Sequence, residues 1–178
     1  MCEMWEYNFF STKDLGKRPG VVEKKLYSHI SHHRWRVTLN FMPHIVQGDL
    51  AVDERGTVRF VNDFNFENVK RFYQVENHYA GFIRAWHGHK EEDKYVYVAH
   101  GSALVGAVDM QTEYIQTFVL SDKKPRILWI PKNHANGFMT LEENTIVFFF
   151  SSSTIEETRD DDIRFPFDKW DIWNVEYR

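Results

Sequence analysis

From Val37 onward the chain breaks into short β-branched and aromatic segments, separated by turn residues about every 8 to 12 positions. Helix-period stretches are scarce, so the pattern predicts an all-β sandwich or barrel. The predicted strands are Val37 to Phe41, His44 to Val46, Thr57 to Val61, Lys70 to Val75, Phe82 to His89, Lys94 to His100, Ser102 to Asp109, Tyr114 to Leu120, Arg126 to Ile130 and Thr145 to Phe150. Asp53-Glu54-Arg55-Gly56, Asp63-Phe64-Asn65 and Ser121-Asp122-Lys123-Lys124-Pro125 carry the turn residues between them. At Gly101 two strands meet almost without a linker, which calls for a tight bend or a bulge at glycine.

Outside that pattern lie two kinds of segment. Residues 1–36 show no clear period, and we read them as an N-terminal extension to a β domain over 37–178. Within the extension, Ser31-His32-His33-Arg34-Trp35-Arg36 reads as a solvated charged face rather than a metal or phosphate site. The acidic run Glu156 to Asp162 reads the same way and is given no role. The stretch Ile163 to Trp173 mixes aromatic anchors with charges and is expected to tuck back against the sheet.

Composition narrows the class of partner. A 178-residue chain with 43% hydrophobic residues can bury a sizeable core. Its formal charge of −4 lacks the basic footprint of a nucleic-acid binder, leaving small molecules or protein as partners. The single Cys2 cannot form an internal disulfide and fits a reducing compartment, so a cytoplasmic location is expected. No stretch approaches the roughly 18 uncharged apolar residues of a membrane span, and the first residues lack the apolar core of an export signal.

Chemistry concentrates between Gly81 and Gly101. In a strand, residues two apart share a face, so His87 and His89 stand on one surface and Lys94 begins the neighbouring strand. Paired imidazoles beside a lysine are open to two readings. They could chelate a metal with help from elsewhere, although an ammonium has no lone pair and repels a divalent ion. They could also remove a proton from a carbon next to a ketone, the lysine stabilising the enolate oxygen that forms.

The spacing from Gly81 through His87, His89 and Lys94 to Gly101 resembles the first motif of the cupin superfamily, with Lys94 where metal-binding members usually have glutamate. Ile130-Pro131-Lys132-Asn133-His134-Ala135-Asn136-Gly137-Phe138 is similar to the second motif, with Asn136 in place of its last histidine. More specifically, six stretches in order resemble the dTDP-4-dehydrorhamnose 3,5-epimerase family. They are Asp53-Glu54-Arg55-Gly56, Gln74 to His78, Arg84-Ala85-Trp86-His87, Lys94 to Gly101 through Ala107-Val108-Asp109, Leu128-Trp129-Ile130-Pro131 and Ala135-Asn136-Gly137-Phe138.

This resemblance implies a double-stranded β-helix (jelly roll), usually a homodimer, that acts on a nucleotide-linked 4-keto-6-deoxy sugar with no metal or organic cofactor. By position, His87 would be the base, Lys94 the enolate stabiliser, Arg84 and Arg55 diphosphate contacts, and Asn77 a contact to the nucleotide end. Arg84 and His87 would face opposite ways in a regular strand, so sharing a pocket requires a bulge between them.

Two departures weigh on the stereochemistry. The family's second histidine is here Asn136, and its tyrosine acid aligns with Phe149, which has no proton to give. No counterpart is assigned to the late aspartate that supports the family's base. His134, two residues before Asn136, could present an imidazole to the same face. Lys70-Arg71-Phe72-Tyr73 and His87-Gly88-His89-Lys90 also resemble the dTDP-sugar 3,4-ketoisomerases. In that reading His87 and His89 shuttle a proton on one sugar face, while Tyr73 and Arg84 orient the substrate. A non-catalytic cupin that binds a sugar nucleotide is the reading from outside enzymology.

Overall fold

The computed structural model describes residues 41–175. Twelve strands and one short helix follow in order: β1 (His44–Gln47), β2 (Asp49–Asp53), β3 (Gly56–Phe60), β4 (Arg71–Glu76), β5 (Ile83–His89), β6 (Lys94–His100), β7 (Ser102–Asp109), β8 (Ile115–Ser121), β9 (Arg126–Ile130), β10 (His134–Thr140), β11 (Ile146–Ser151), α1 (Ile155–Asp160) and β12 (Ile163–Arg164). They form two five-stranded antiparallel sheets, ordered β1-β9-β6-β11-β4 and β12-β5-β10-β7-β8, plus the separate hairpin β2-β3. This is the predicted all-β cupin jelly roll. The predicted strand at Val37 to Phe41, the 1–36 extension and Cys2 lie largely or wholly outside the described residues.

Alternation decides which side chains fill the space between the sheets. Val96 and Val98 of β6, Leu128 and Ile130 of β9, and Val147 and Phe149 of β11 point inward from the first sheet. Ala103, Val105 and Ala107 of β7, Leu120 of β8 and Phe138 of β10 meet them from the second. The opposite face of the first sheet is rich in aromatics, and Phe66 and Phe72 stay 62% and 64% exposed there.

The second sheet is covered on its outer face as well. Trp86, Val108, Ala135 and Met139 pack there against Trp170 and Trp173, with Phe165 and Ile172 alongside. The tail therefore tucks back as its aromatic anchors predict. Trp86 donates its indole N–H to the Phe167 carbonyl at 3.2 Å, and Trp173 donates to the same oxygen at 3.0 Å. A fully sandwiched sheet explains β10, which the sequence analysis read only as a motif. Its Asn and Gly read as turn formers, yet all seven residues are buried. A Cβ on Gly137 would lie 2.5 Å from the Ala85 Cβ, so only glycine lets β5 and Trp86 approach this closely.

Candidate active site

At one end of the jelly roll the two sheets part around a cavity of about 410 Å³. The second sheet contributes Arg84, His87, His89 and Asn136, and the first contributes Arg71, Tyr73, Lys94 and Phe149. Thr158, Asp162 and Arg164, from the segment after β11, close one side.

The required bulge is present. Asn136 pairs with His87 and Phe138 with Arg84, so two steps along β10 oppose three along β5. The extra residue falls at Ala85–Trp86, whose peptide bond is cis. It turns Trp86 outward while Arg84, His87 and His89 share the cavity wall.

His87 is held from both ends of its ring. Its Nδ1 lies 3.7 Å from Asp162 Oδ1, and Arg164 Nη1 approaches its Nε2 at 3.5 Å. Arg164 also donates to Asp162 Oδ2 through Nε at 2.7 Å. These two residues arrive because β12 pairs with β5, Arg164 opposite His87. Burial, then the Arg164 guanidinium, pushes the His87 pKa below its ordinary value, with Asp162 opposing. A neutral imidazole with Nδ1–H toward Asp162 presents its Nε2 lone pair to the cavity side, where Arg164 meets it at 3.5 Å and must yield for that nitrogen to accept a proton from a substrate.

His89 has a carboxylate of its own. Its Nδ1 lies 3.3 Å from Glu92 Oε2 and 3.9 Å from Asp161 Oδ2, and its side chain is 4% exposed. Burial and the nearby Lys94 ammonium lower its pKa against the pull of those acids.

Under the first-sheet wall, Glu92 is fully buried and gathers the cations. Lys94 Nζ and Ser151 Oγ both donate to its Oε1, and Arg71 donates to the same oxygen at 3.3 Å. Burial is the largest single influence and would raise the Glu92 carboxyl, but Lys94, Ser151 and His89 together outweigh it and hold the pKa below its ordinary value. Burial conversely lowers Lys94, and Glu92 opposes that shift. The result is an ammonium anchored at the cavity wall, 5.4 Å from the Tyr73 ring centre. Tyr73 stacks on Phe149 with 7° between the rings, and burial pushes its phenol up to about 12.

Of the ten residues singled out in the sequence, seven line this cavity: Tyr73, Arg84, His87, His89, Lys94, Asn136 and Phe149. Asn136 donates to the His87 carbonyl at 3.1 Å and so fixes the strand that carries His87. The other three stand elsewhere. Asn77 is 5% exposed and outside the cavity lining, where it accepts from Arg84 Nε at 2.7 Å and aims that guanidinium. His134 is on the same face as Asn136, but its Nδ1 is held 3.1 Å from the Lys132 carbonyl and its ring does not reach the cavity. Arg55 projects from the β2-β3 hairpin, its side chain 82% exposed and paired with Asp53.

Glu92, Asp161, Asp162 and Arg164 join the site without having been legible as site residues in the sequence. Glu92 stands two residues before Lys94, the spacing that puts both on one face, and was passed over as part of a charged turn. The acidic run given no role splits in two. Glu156 and Glu157 occupy the exposed first turn of α1, where a capping box on Thr154 starts the helix. Asp161, at its C-cap, accepts from the backbone N–H groups of Lys90 and Glu91, and Asp162 reaches His87. Among the described residues, no three His, Cys, Asp or Glu side chains are arranged to hold a metal ion.

Comparison with known proteins places the fold in a family. The family model of dTDP-4-dehydrorhamnose 3,5-epimerase matches residues 42–174. The spore coat polysaccharide biosynthesis protein SpsL of Bacillus subtilis (strain 168) is 28% identical over 109 residues, covering 56% of this chain and 72% of SpsL. Among solved structures, the Bacillus anthracis dTDP-4-dehydrorhamnose 3,5-epimerase with TDP and PPi bound superposes with a TM-score of 0.65 at 22% identity, covering 76% of this chain and 86% of that one. A 3,4-ketoisomerase from Helicobacter canadensis gives 0.57 at 21% identity, over 69% and 90% of the two chains. At these identities the structural matches speak to the fold.

Proposed function

The chain belongs to the dTDP-4-dehydrorhamnose 3,5-epimerase family, and on that footing we propose that it is an isomerase that enolises a nucleotide-linked 4-keto-6-deoxy sugar, inverting carbon 3 or carbons 3 and 5. One observation carries this reading: His87, kept neutral and backed by Asp162, shares a cavity with the Lys94 ammonium. The imidazole takes the proton next to the ketone, and the ammonium meets the oxygen on which negative charge develops. Asn136 and Arg84 hold the base strand and the anionic part of the substrate. A diphosphate is the natural partner for Arg84, whose guanidinium is pre-aimed by Asn77. The TDP of the Bacillus anthracis protein supports a thymidine nucleotide, and the likeness to SpsL supports a role in polysaccharide biosynthesis. The exposed aromatic face of the first sheet supports a homodimer, and the cytoplasm is where such nucleotide sugars are made.

A second reading, the 3,4-ketoisomerase, is favoured by the contact between His89 and Glu92. It gives the wall two histidine–carboxylate pairs, as a shuttle between adjacent carbons on one face requires. Incubation with dTDP-4-keto-6-deoxyglucose in deuterated water separates the two. Deuterium at carbons 3 and 5 identifies the double epimerase, and label at carbon 3 alone the single one. A ketone moved from carbon 4 to carbon 3 identifies the ketoisomerase, and absence of both exchange and rearrangement overturns both readings.

A further inference from the structure

Inversion needs two protonic groups on opposite faces of the sugar. His87 supplies the first from the second sheet. At position 149 of the first sheet, where the family resemblance implies a tyrosine, phenylalanine has nothing to donate. The facing wall still carries four groups with exchangeable protons: Arg71, Tyr73, Lys94 and Thr158. The Arg71 guanidinium is too weak an acid and is engaged by Glu92 and Thr158. The Thr158 hydroxyl donates to the Thr154 carbonyl at 2.8 Å. Lys94 is bound to Glu92, and its charge is needed at the enolate oxygen.

Tyr73 is the group left over. It is the cross-strand partner of Phe149 in the β4-β11 ladder, with ring centres 5.2 Å apart. Its hydroxyl has no hydrogen-bond partner among the described residues. Two cations flank its ring, Arg71 at 5.2 Å and Lys94 at 5.4 Å from the centroid.

We infer that Tyr73 is the proton donor on the face opposite His87, its phenol supplying from β4 what the side chain at position 149 on β11 cannot. The inference rests on the epimerase reading above. His87 Nε2 takes the proton as the C–H bond breaks, and the electron pair moves through the new C=C to the ketone oxygen. The ketone then re-forms while the Tyr73 O–H bond breaks and a new C–H bond forms on the other face. An imidazolium and a phenolate remain, and proton exchange with water resets both. Burial keeps the free phenol protonated at neutral pH, and the Arg71 guanidinium over its ring favours the phenolate once the proton has gone.

The test follows dTDP-4-keto-6-deoxyglucose by proton NMR in deuterated water, with wild type, Tyr73→Phe and Tyr73→Phe/Phe149→Tyr. Tyr73→Phe should keep deuterium wash-in with retained configuration, since the base is intact. It should lose the inverted product by about 100-fold or more. The double variant, which moves the phenol to the neighbouring strand, should regain it. Inverted product from Tyr73→Phe at the wild-type rate overturns the assignment. A wild type that neither exchanges nor inverts overturns the epimerase reading itself, and with it this role. Melting curves for the variants separate loss of chemistry from loss of fold.

Discussion

Replacing Glu92 with glutamine tests the electrostatic anchor of the site. The substitution keeps the shape and one acceptor but removes the only negative charge bonded to Lys94 among the described residues, in a position with no solvent exposure. Lys94, 4% exposed, would be left as an uncompensated buried cation, with Arg71 beside it at 20%. Breaking a buried pair from one side costs about 3 to 5 kcal/mol. Partial solvation of Arg71 favours the lower end, so we expect a loss of about 3 kcal/mol. With a urea slope of about 2 kcal/mol/M, the midpoint should fall by about 1.5 M. The loss should also depend on pH in a defined direction. Glu92 raises the Lys94 pKa against burial, so its removal lowers that pKa further below the unfolded value. Between the folded and unfolded values the unfolded chain binds more protons, so stability rises with pH through that window. The deficit of Glu92→Gln should therefore be smaller at pH 9 than at pH 7. A midpoint shift below about 0.5 M at pH 7, or a deficit that grows with pH, would refute the reasoning.

Three further outcomes follow from the site and the core. Arg164→Gln removes a cation that lowers the His87 pKa, so the acid limb of kcat/KM should move to higher pH; an unmoved or lower limb would contradict the contact. Asp162→Asn removes an opposing influence and should move the same limb to lower pH, with turnover reduced on the order of 100-fold; a turnover near wild type would remove Asp162 from the site. Gly137→Ala places a methyl 2.5 Å from the Ala85 Cβ and 3.1 Å from Trp86 Cε3, so urea denaturation should register a loss of about 1 to 3 kcal/mol; unchanged stability would mean that β5 gives way freely.

β6, β7 and β9 occur with the predicted ends, β6 with a clean alternation of burial and β7 and β9 as β-branched or apolar runs bounded by turn residues. β10 escaped because a strand covered on both faces does not alternate, and its Asn136-Gly137 reads as a turn when packing is invisible. The cavity side chains of β5 were legible from type and spacing, and the parity conflict between Arg84 and His87 correctly required the bulge. What pairs with those side chains was not legible. Glu92, Asp162 and Arg164 look like ordinary surface charges in one dimension, and only the turn after His89 and the pairing of β12 with β5 bring them to the histidines. Arg55, on the exposed β2-β3 hairpin, stands outside the lining of this cavity.

The two-residue strand β12 has a consequence for how the protein loses activity. Its ladder with β5 involves only Gly88 and His87, continued by the exchange between Trp86 and Phe165. His87 thus acquires its partners from the edge of a sheet, clamped by the Trp86, Trp170 and Trp173 cluster. Such an edge opens at a lower free energy than the paired core between the sheets. If His87 is the base, as proposed above, proton abstraction depends on the docking of this terminal clasp and is lost while the β-helix remains intact.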